Sequence, residues 1–283
     1  MERGVSTGTP IGADLLSLSA GMSHRAVTER ILALAGRPGA KAALIDAADG
    51  TVTSWPRFGR TICAAAHGLS QRGLAAGDTV GVFVQDAASF AVAVNAIRAG
   101  GATALAIRPD AGVADVAARL DAGGVRLLIT SAPLAELAAE AADRSRVRQV
   151  FAFGEAAGTT PFGSLLTESN HVADTRRAGT GGQPEGAASR PEGAAGRPTS
   201  LDGWAGLSHR DVVVAGPPCG DGHAYTSLLD LTLLAGATIV AAPVPLVAAA
   251  TRVYHGTAAI VPCGTAVPGL APDRVFTVAL SGL

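Results

Sequence analysis

The sequence predicts an α/β fold: a mostly parallel sheet with flanking helices, followed by a partial second α/β portion. Short apolar runs such as 79–84 (TVGVFV) and 258–261 (AAIV) contain few polar residues, the pattern of strands buried on both faces. Stretches with helical apolar spacing, closed by glycine, lie between them. Strand and helix alternate, which calls for parallel pairing through crossovers.

Residues 1–23 read as a flexible tail. Ser23 is placed to cap a helix over 24–35, stopped by Arg37, Pro38 and Gly39. Residues 42–46 and 51–53 flank a turn ending at Gly50 and read as a hairpin. A helix follows over 55–72, ended by Gly73, with Ile62, Ala65, Ala66 and Leu69 on one face. A strand over 79–84 leads to a helix over 87–99, closed by Gly100 and Gly101. The strand over 103–107 stops at Pro109, and the helix over 113–122 ends at Gly123 and Gly124. A strand over 125–129, a helix over 133–143 and a strand over 147–153 complete a first α/β portion, 24–166.

Residues 167–203 change character. Gly, Pro, Ser and Arg dominate, and 184–190 (PEGAASR) is nearly repeated by 191–197 (PEGAAGR). Such a segment buries too little apolar surface to offset its ordering entropy and reads as a mobile Gly/Pro-rich loop. A partial second portion, 204–283, resumes the pattern: strand 211–215, helix 224–234, strand 238–241, and strands over 258–261 and 275–280.

Composition narrows the function classes. A formal net charge of −1 and an aromatic content of 4% give no basis for nucleic acid or an anionic membrane as partner. Cys63, Cys219 and Cys263 are far apart, which fits neither a disulfide framework nor a metal site and makes a reducing cytoplasm the expected location. The N-terminus shows no signal peptide. The uncharged run 231–250 is long enough to span a bilayer, but Gly236, Pro243 and Pro245 interrupt it, so it is read as helix, turn and buried strand.

The order of these pieces resembles the N-terminal portion of the adenylate-forming superfamily, the AMP-binding, acyl-CoA synthetase-type ligases. Residues 42–109 carry Leu44, Ile45 and Asp46, then Gly68 and Leu69, Gly73 and Leu74, Gly77 and Asp78, and Ala99, Gly100 and Gly101. These fit the family's A-L-I-D, G-L-x-x-x-G, G-D-x-V and A-G-A/G slots. Residues 206–243 resemble its G-L-x-x-x-D-V-x-L-x-x-x-P-x-x-H segment, the following helix and L-x-x-G-A-x-x-V. Each motif also builds sheet and turn, so the likeness speaks first to fold.

The resemblance implies acid activation by ATP to an acyl-adenylate, then thioester formation. That chemistry needs a phosphate cradle of backbone N–H groups, hydroxyl donors and a lysine. The family motif is roughly (S/T)-G-T-T-G-x-P-K-G. Residues 178–186 match it at Gly179, Thr180, Gly182, Pro184 and Gly186, but Ala178 and Gly181 lack the hydroxyls and Glu185 replaces the lysine. The candidate nucleotide-binding residues are therefore Gly179, Thr180, Gly182 and Gly186, in a degenerate loop, and binding of ATP and Mg is left open. Pro191 and Pro198 occupy the stretch where the family places a helix.

His223 is the candidate substrate-pocket residue, falling near the family's strand-end histidine. A polar residue in a Gly-rich turn explains it equally well. Asp221 and His223 are too few for a metal site, and none is expected. His209 and Arg210 fit a solvated helix end better than the family's T-H-R segment, and Ser281 and Gly282 fall where its substrate turn begins. No catalytic residue is assigned. The first reading is a truncated, degenerate ligase-like protein, a pseudoenzyme that is not catalytic alone and serves as an accessory to a protein partner or self-associates through its incomplete second portion. The alternative is an acyl-activating ligase, intact or as half of a split enzyme.

Overall fold

The computed structural model describes residues 23–36, 39–166, 207–219 and 222–278. Ser23 caps α1 (His24–Ala35), its side chain accepting from Ala26 N at 3.3 Å. The hairpin β1 (Ala42–Asp46) and β2 (Val52–Ser54) leads into α2 (Trp55–Gln71), with Pro56 in its first turn, where a missing N–H costs nothing. Ile62, Ala65 and Leu69 are fully buried along α2, and Ala66 is half-buried. There follow β3 (Thr79–Phe83), α3 (Ala87–Ala99), β4 (Thr103–Ala106), α4 (Val113–Ala122), β5 (Leu127–Ser131), α5 (Ala135–Asp143), β6 (Gln149–Phe153) and β7 (Thr160–Pro161). After 207 come β8 (Val212–Ala215), α6 (Gly222–Leu234), β9 (Thr238–Ala241), α7 (Val247–Val253), β10 (Ala258–Pro262) and β11 (Val275–Val278).

The strands form two sheets. One is five-stranded, in the order β4-β3-β5-β6-β7, and parallel throughout. The other is six-stranded, in the order β11-β10-β8-β9-β1-β2, antiparallel only at β1–β2. β1 pairs with β9 (Leu44 beside Ile239), so the hairpin leaves its sequence neighbours and joins the sheet made by 212–278. The chain position of the Gly/Pro-rich segment is therefore not a boundary between the sheets.

Helices α1, α2, α3 and α6 pack together between the sheets, and their apolar side chains share one core with the inner faces of both. α3 and α6 are buried almost all round, as helices with sheet on either side must be. Burial of each large side chain, such as Phe58, Phe90 or Tyr225, contributes about 1.5–3 kcal/mol. α4 and α5 cover the outer face of the five-stranded sheet, and α7 that of the six-stranded sheet.

Some expected elements move. Val125 N donates to Leu120 O at 2.9 Å, so Val125 still belongs to the helix-end turn and β5 begins at Leu127 rather than at 125. Pro243 and Pro245 do not only end a strand: a 3₁₀ turn at Val244–Leu246 runs into α7, which the sequence reading missed. The uncharged run 231–250 is thus divided among α6, β9 and α7. Among the described residues no helix is long and apolar enough to cross a membrane.

Candidate functional site

A parallel α/β sheet offers a ligand crevice beyond the carboxyl ends of its strands, where strand order reverses. In the six-stranded sheet β8 connects through α6, on the inner face, to β9 on one side. β9 connects through α7, on the outer face, to β10 on the other side of β8. The reversal therefore falls between β8 and β10.

Gly216, Pro217, Pro218 and Cys219 leave β8 here, and Cys263 follows β10. Gly216 N donates to Ile260 O at 2.8 Å. The Tyr225 hydroxyl, on α6, donates to Gly216 O at 2.6 Å, and its ring meets Phe90 edge-on at 5.3 Å. Burial drives the Tyr225 phenol well above its ordinary range, and Cys219 and Asp86 push the same way. Burial pushes the Cys219 thiol up to about 12, with Asp110 and Cys263 adding to it. Tyr225 is thus a protonated hydrogen-bond donor, and Cys219 is a thiol rather than a nucleophilic thiolate.

The rim of this crevice is acidic. Asp86 caps α3, accepting from Ser89 N at 2.7 Å. Burial raises its carboxyl, the Ser89 N–H opposes that, and Asp46 adds to it. Asp46 ends β1 and accepts from Ala48 N at 2.8 Å. Asp110, beyond β4, grips Arg108 through two bonds of 3.0 and 3.1 Å. The first turn of α6 presses on the end of β4, since a Cβ on Gly222 would lie 2.7 Å from Ala106 Cβ. In the five-stranded sheet the corresponding reversal, between β3 and β5, is bridged by side chains: Thr130 Oγ1 donates to Phe83 O at 2.8 Å, and Ser131 Oγ accepts from Gln85 N at 3.2 Å.

His223 is exposed in the first turn of α6. Its charge is felt by His24 at the start of α1, whose imidazole burial and Arg98 hold below the usual range. Tyr225, two residues on, occupies the crevice side of the helix. His209 and Arg210 lie exposed in the turn before β8, not at a helix end. Gly179, Thr180, Gly182, Gly186, Asp221, Ser281 and Gly282 lie outside the described residues. No group of three or more His, Cys, Asp or Glu side chains suited to a metal occurs among the described residues.

A simple count had escaped the sequence reading. Lys41 is the single lysine among the 283 residues. It stands before β1, and its Nζ donates to the carbonyls of His209 and Gly236, which precede β8 and β9. Those are the amino ends of the strands, so Lys41 sits at the sheet edge opposite the crevice. Burial lowers its pKa, with Asp211 opposing.

The profile of a family described as AMP-binding enzyme matches residues 32–254. Among solved structures the chain is similar to a long-chain-fatty-acid-CoA ligase from Archaeoglobus fulgidus, with a TM-score of 0.62 and 18% identity over 83% of this chain and 51% of that one. It is similar to a benzoate CoA ligase from Burkholderia xenovorans, with a TM-score of 0.61 and 17% identity over 83% and 50%. A third structure, provisionally assigned as a long-chain-fatty-acid CoA ligase of Rhodopseudomonas palustris, gives a TM-score of 0.65 and 18% identity over 92% and 70%. At these identities the likeness is one of fold. The chain spans about half the length of the first two. No curated protein matches it.

Proposed function

Because the chain belongs to the AMP-binding enzyme family, we propose that it is an acyl-CoA ligase homologue that does not form acyl-adenylates by itself. One observation carries this reading: the sole lysine is spent on two backbone carbonyls at the edge away from the crevice. Triphosphate chemistry of the family type calls for a cation on the phosphates, and no lysine remains to supply one.

The surroundings point the same way. Glu185 occupies the lysine position of the loop that resembles the phosphate cradle. A carboxylate in contact with a phosphate oxygen costs about 1–4 kcal/mol, depending on screening. Asp46, Asp86 and Asp110 hold the described rim acidic, and Arg108 is already engaged with Asp110. Tyr225 and Cys219 stay protonated through the neutral range, so neither serves as base or nucleophile. The described residues thus do not suit ATP and Mg, and no reaction step is assigned through them.

The role consistent with this chemistry is contact with protein, either a partner or a second copy. Val244 and Leu246, in the turn before α7, and Val253, its last residue, are exposed by 39%, 40% and 67% and offer apolar side chains for it. Titration of the full chain with ATP and magnesium tests the reading. No saturable heat is expected up to millimolar nucleotide, whereas a saturating micromolar isotherm would remove it.

A further inference from the structure

We propose that the amino-terminal edge of the five-stranded sheet carries an anion site for a phosphorylated small molecule. A cleft of ≈ 350 Å³ opens there, lined by Arg72, Arg126, Arg148, Asp78, Thr79 and Gln149 among others. That volume lies at the small-ligand end of the range for pockets, about 300–1,000 Å³. The edge is opposite to the strand ends of the crevice described above, so the site stands apart from the family's chemistry.

Three separate stretches deliver the guanidinium groups. Arg72 follows α2, Arg126 precedes β5 and Arg148 precedes β6. β5 and β6 pair with Leu127 beside Gln149, which sets Arg126 and Arg148 side by side, and Arg148 N donates to Arg126 O at 2.8 Å. Arg72 lies over Phe151, its Cζ 5.9 Å from the ring centroid, a contact that steadies the guanidinium.

Among the described residues Asp78 is the one carboxylate on the lining, and it accepts from Ala75 N at 2.8 Å to close its own turn. Among the described residues neither Arg126 nor Arg148 has an ion-pair partner. Adjacent guanidinium groups repel unless an anion lies between them, and planar forks of N–H donors suit phosphate oxygens. Thr79 adds a hydroxyl to the lining, while Gln149 is turned to Thr160 Oγ1 at 3.3 Å. Among the described residues no aromatic side chain lines the cleft, so the occupant is a phosphomonoester on a hydroxylated body rather than a stacked nucleobase.

Calorimetry of the full chain at low salt, with ribose 5-phosphate as probe and ribose as control, tests this. Sub-millimolar binding of the phosphate ester and none of ribose is expected. The Arg126→Gln/Arg148→Gln double variant is expected to bind at least tenfold more weakly while keeping the wild-type circular dichroism spectrum, and Arg252→Gln on α7 is expected to change nothing. Equal affinity in wild type and double variant, or no binding of ribose 5-phosphate by the wild type, would overturn the proposal.

Discussion

Replacing Asp230 by Ala exposes how the two sheets are held together. Asp230 on α6 and Arg98 on α3 are joined by bonds of 3.0 and 2.8 Å across 132 residues of sequence. Their side chains are only 7% and 4% exposed. Burial raises the Asp230 carboxyl, while Arg98 pulls against it. Removing the carboxylate strands a guanidinium between two sheets, and among the described residues the buried Arg98 Nε has no partner even in the wild type. Breaking such a pair from one side costs about 3–5 kcal/mol, against a total stability of about 5–15 kcal/mol. Replacing both residues, Arg98→Met with Asp230→Leu, removes the stranded charge and is expected to recover at least about 2 kcal/mol of the single-variant loss. Urea unfolding followed by far-ultraviolet circular dichroism reads both values at unchanged m. A loss below about 1 kcal/mol for Asp230→Ala, or no recovery in the double variant, would refute the claim that an uncompensated buried charge sets the cost.

Other expectations follow from the crevice and the apolar surface. Cys63 and Cys263 are exposed and Cys219 is buried, so a thiol reagent at pH 8 is expected to titrate two thiols in the native chain and the third only after denaturation. The Cys219 thiol is raised from 9.0 to about 12. The folded state therefore holds that proton more tightly than the unfolded state, and the stabilisation is full below pH 9 and lost as pH rises toward 12. Denaturant midpoints above pH 9 are expected to fall with a contribution of about 1.4 kcal/mol per pH unit from this group; a Cys219→Ala variant with the same slope would contradict that. Val253→Lys, at a site 67% exposed, is expected to lower the apparent mass in light scattering if α7 mediates self-association, and an unchanged monomeric mass in wild type and variant would exclude that role.

Local signals made much of the fold legible. β3, β9 and β10 are short apolar runs between glycines and prolines, and Ser23 caps α1 as its position implied. Long-range choices were not legible. Nothing in 42–54 says that the hairpin pairs with β9, nearly two hundred residues away, because its apolar pattern fits either sheet equally. α7 was hidden by Pro243 and Pro245, which stop one element and start the next. The crevice itself depends on strand order, which periodicity cannot give. Tyr225 carries no motif, and its place there follows only from α6 being buried on every side. His223 drew notice for its place near the family's strand-end histidine, and α6 sets it in an exposed first turn, close enough to His24 for their charges to interact. The scarcity of lysine was open to counting, but its meaning depended on finding Lys41 at the opposite edge of the sheet.

Acid-dependent exchange of labelled pyrophosphate into ATP, run on the full chain with fatty and aromatic acids, probes the proposed lack of a phosphate-binding lysine most directly. With Glu185 in the lysine position and Lys41 committed to the carbonyls of His209 and Gly236, exchange is expected to stay at the acid-free background. Exchange above that background, abolished by Thr180→Ala or Glu185→Ala, would contradict the reading of a ligase homologue silent by itself.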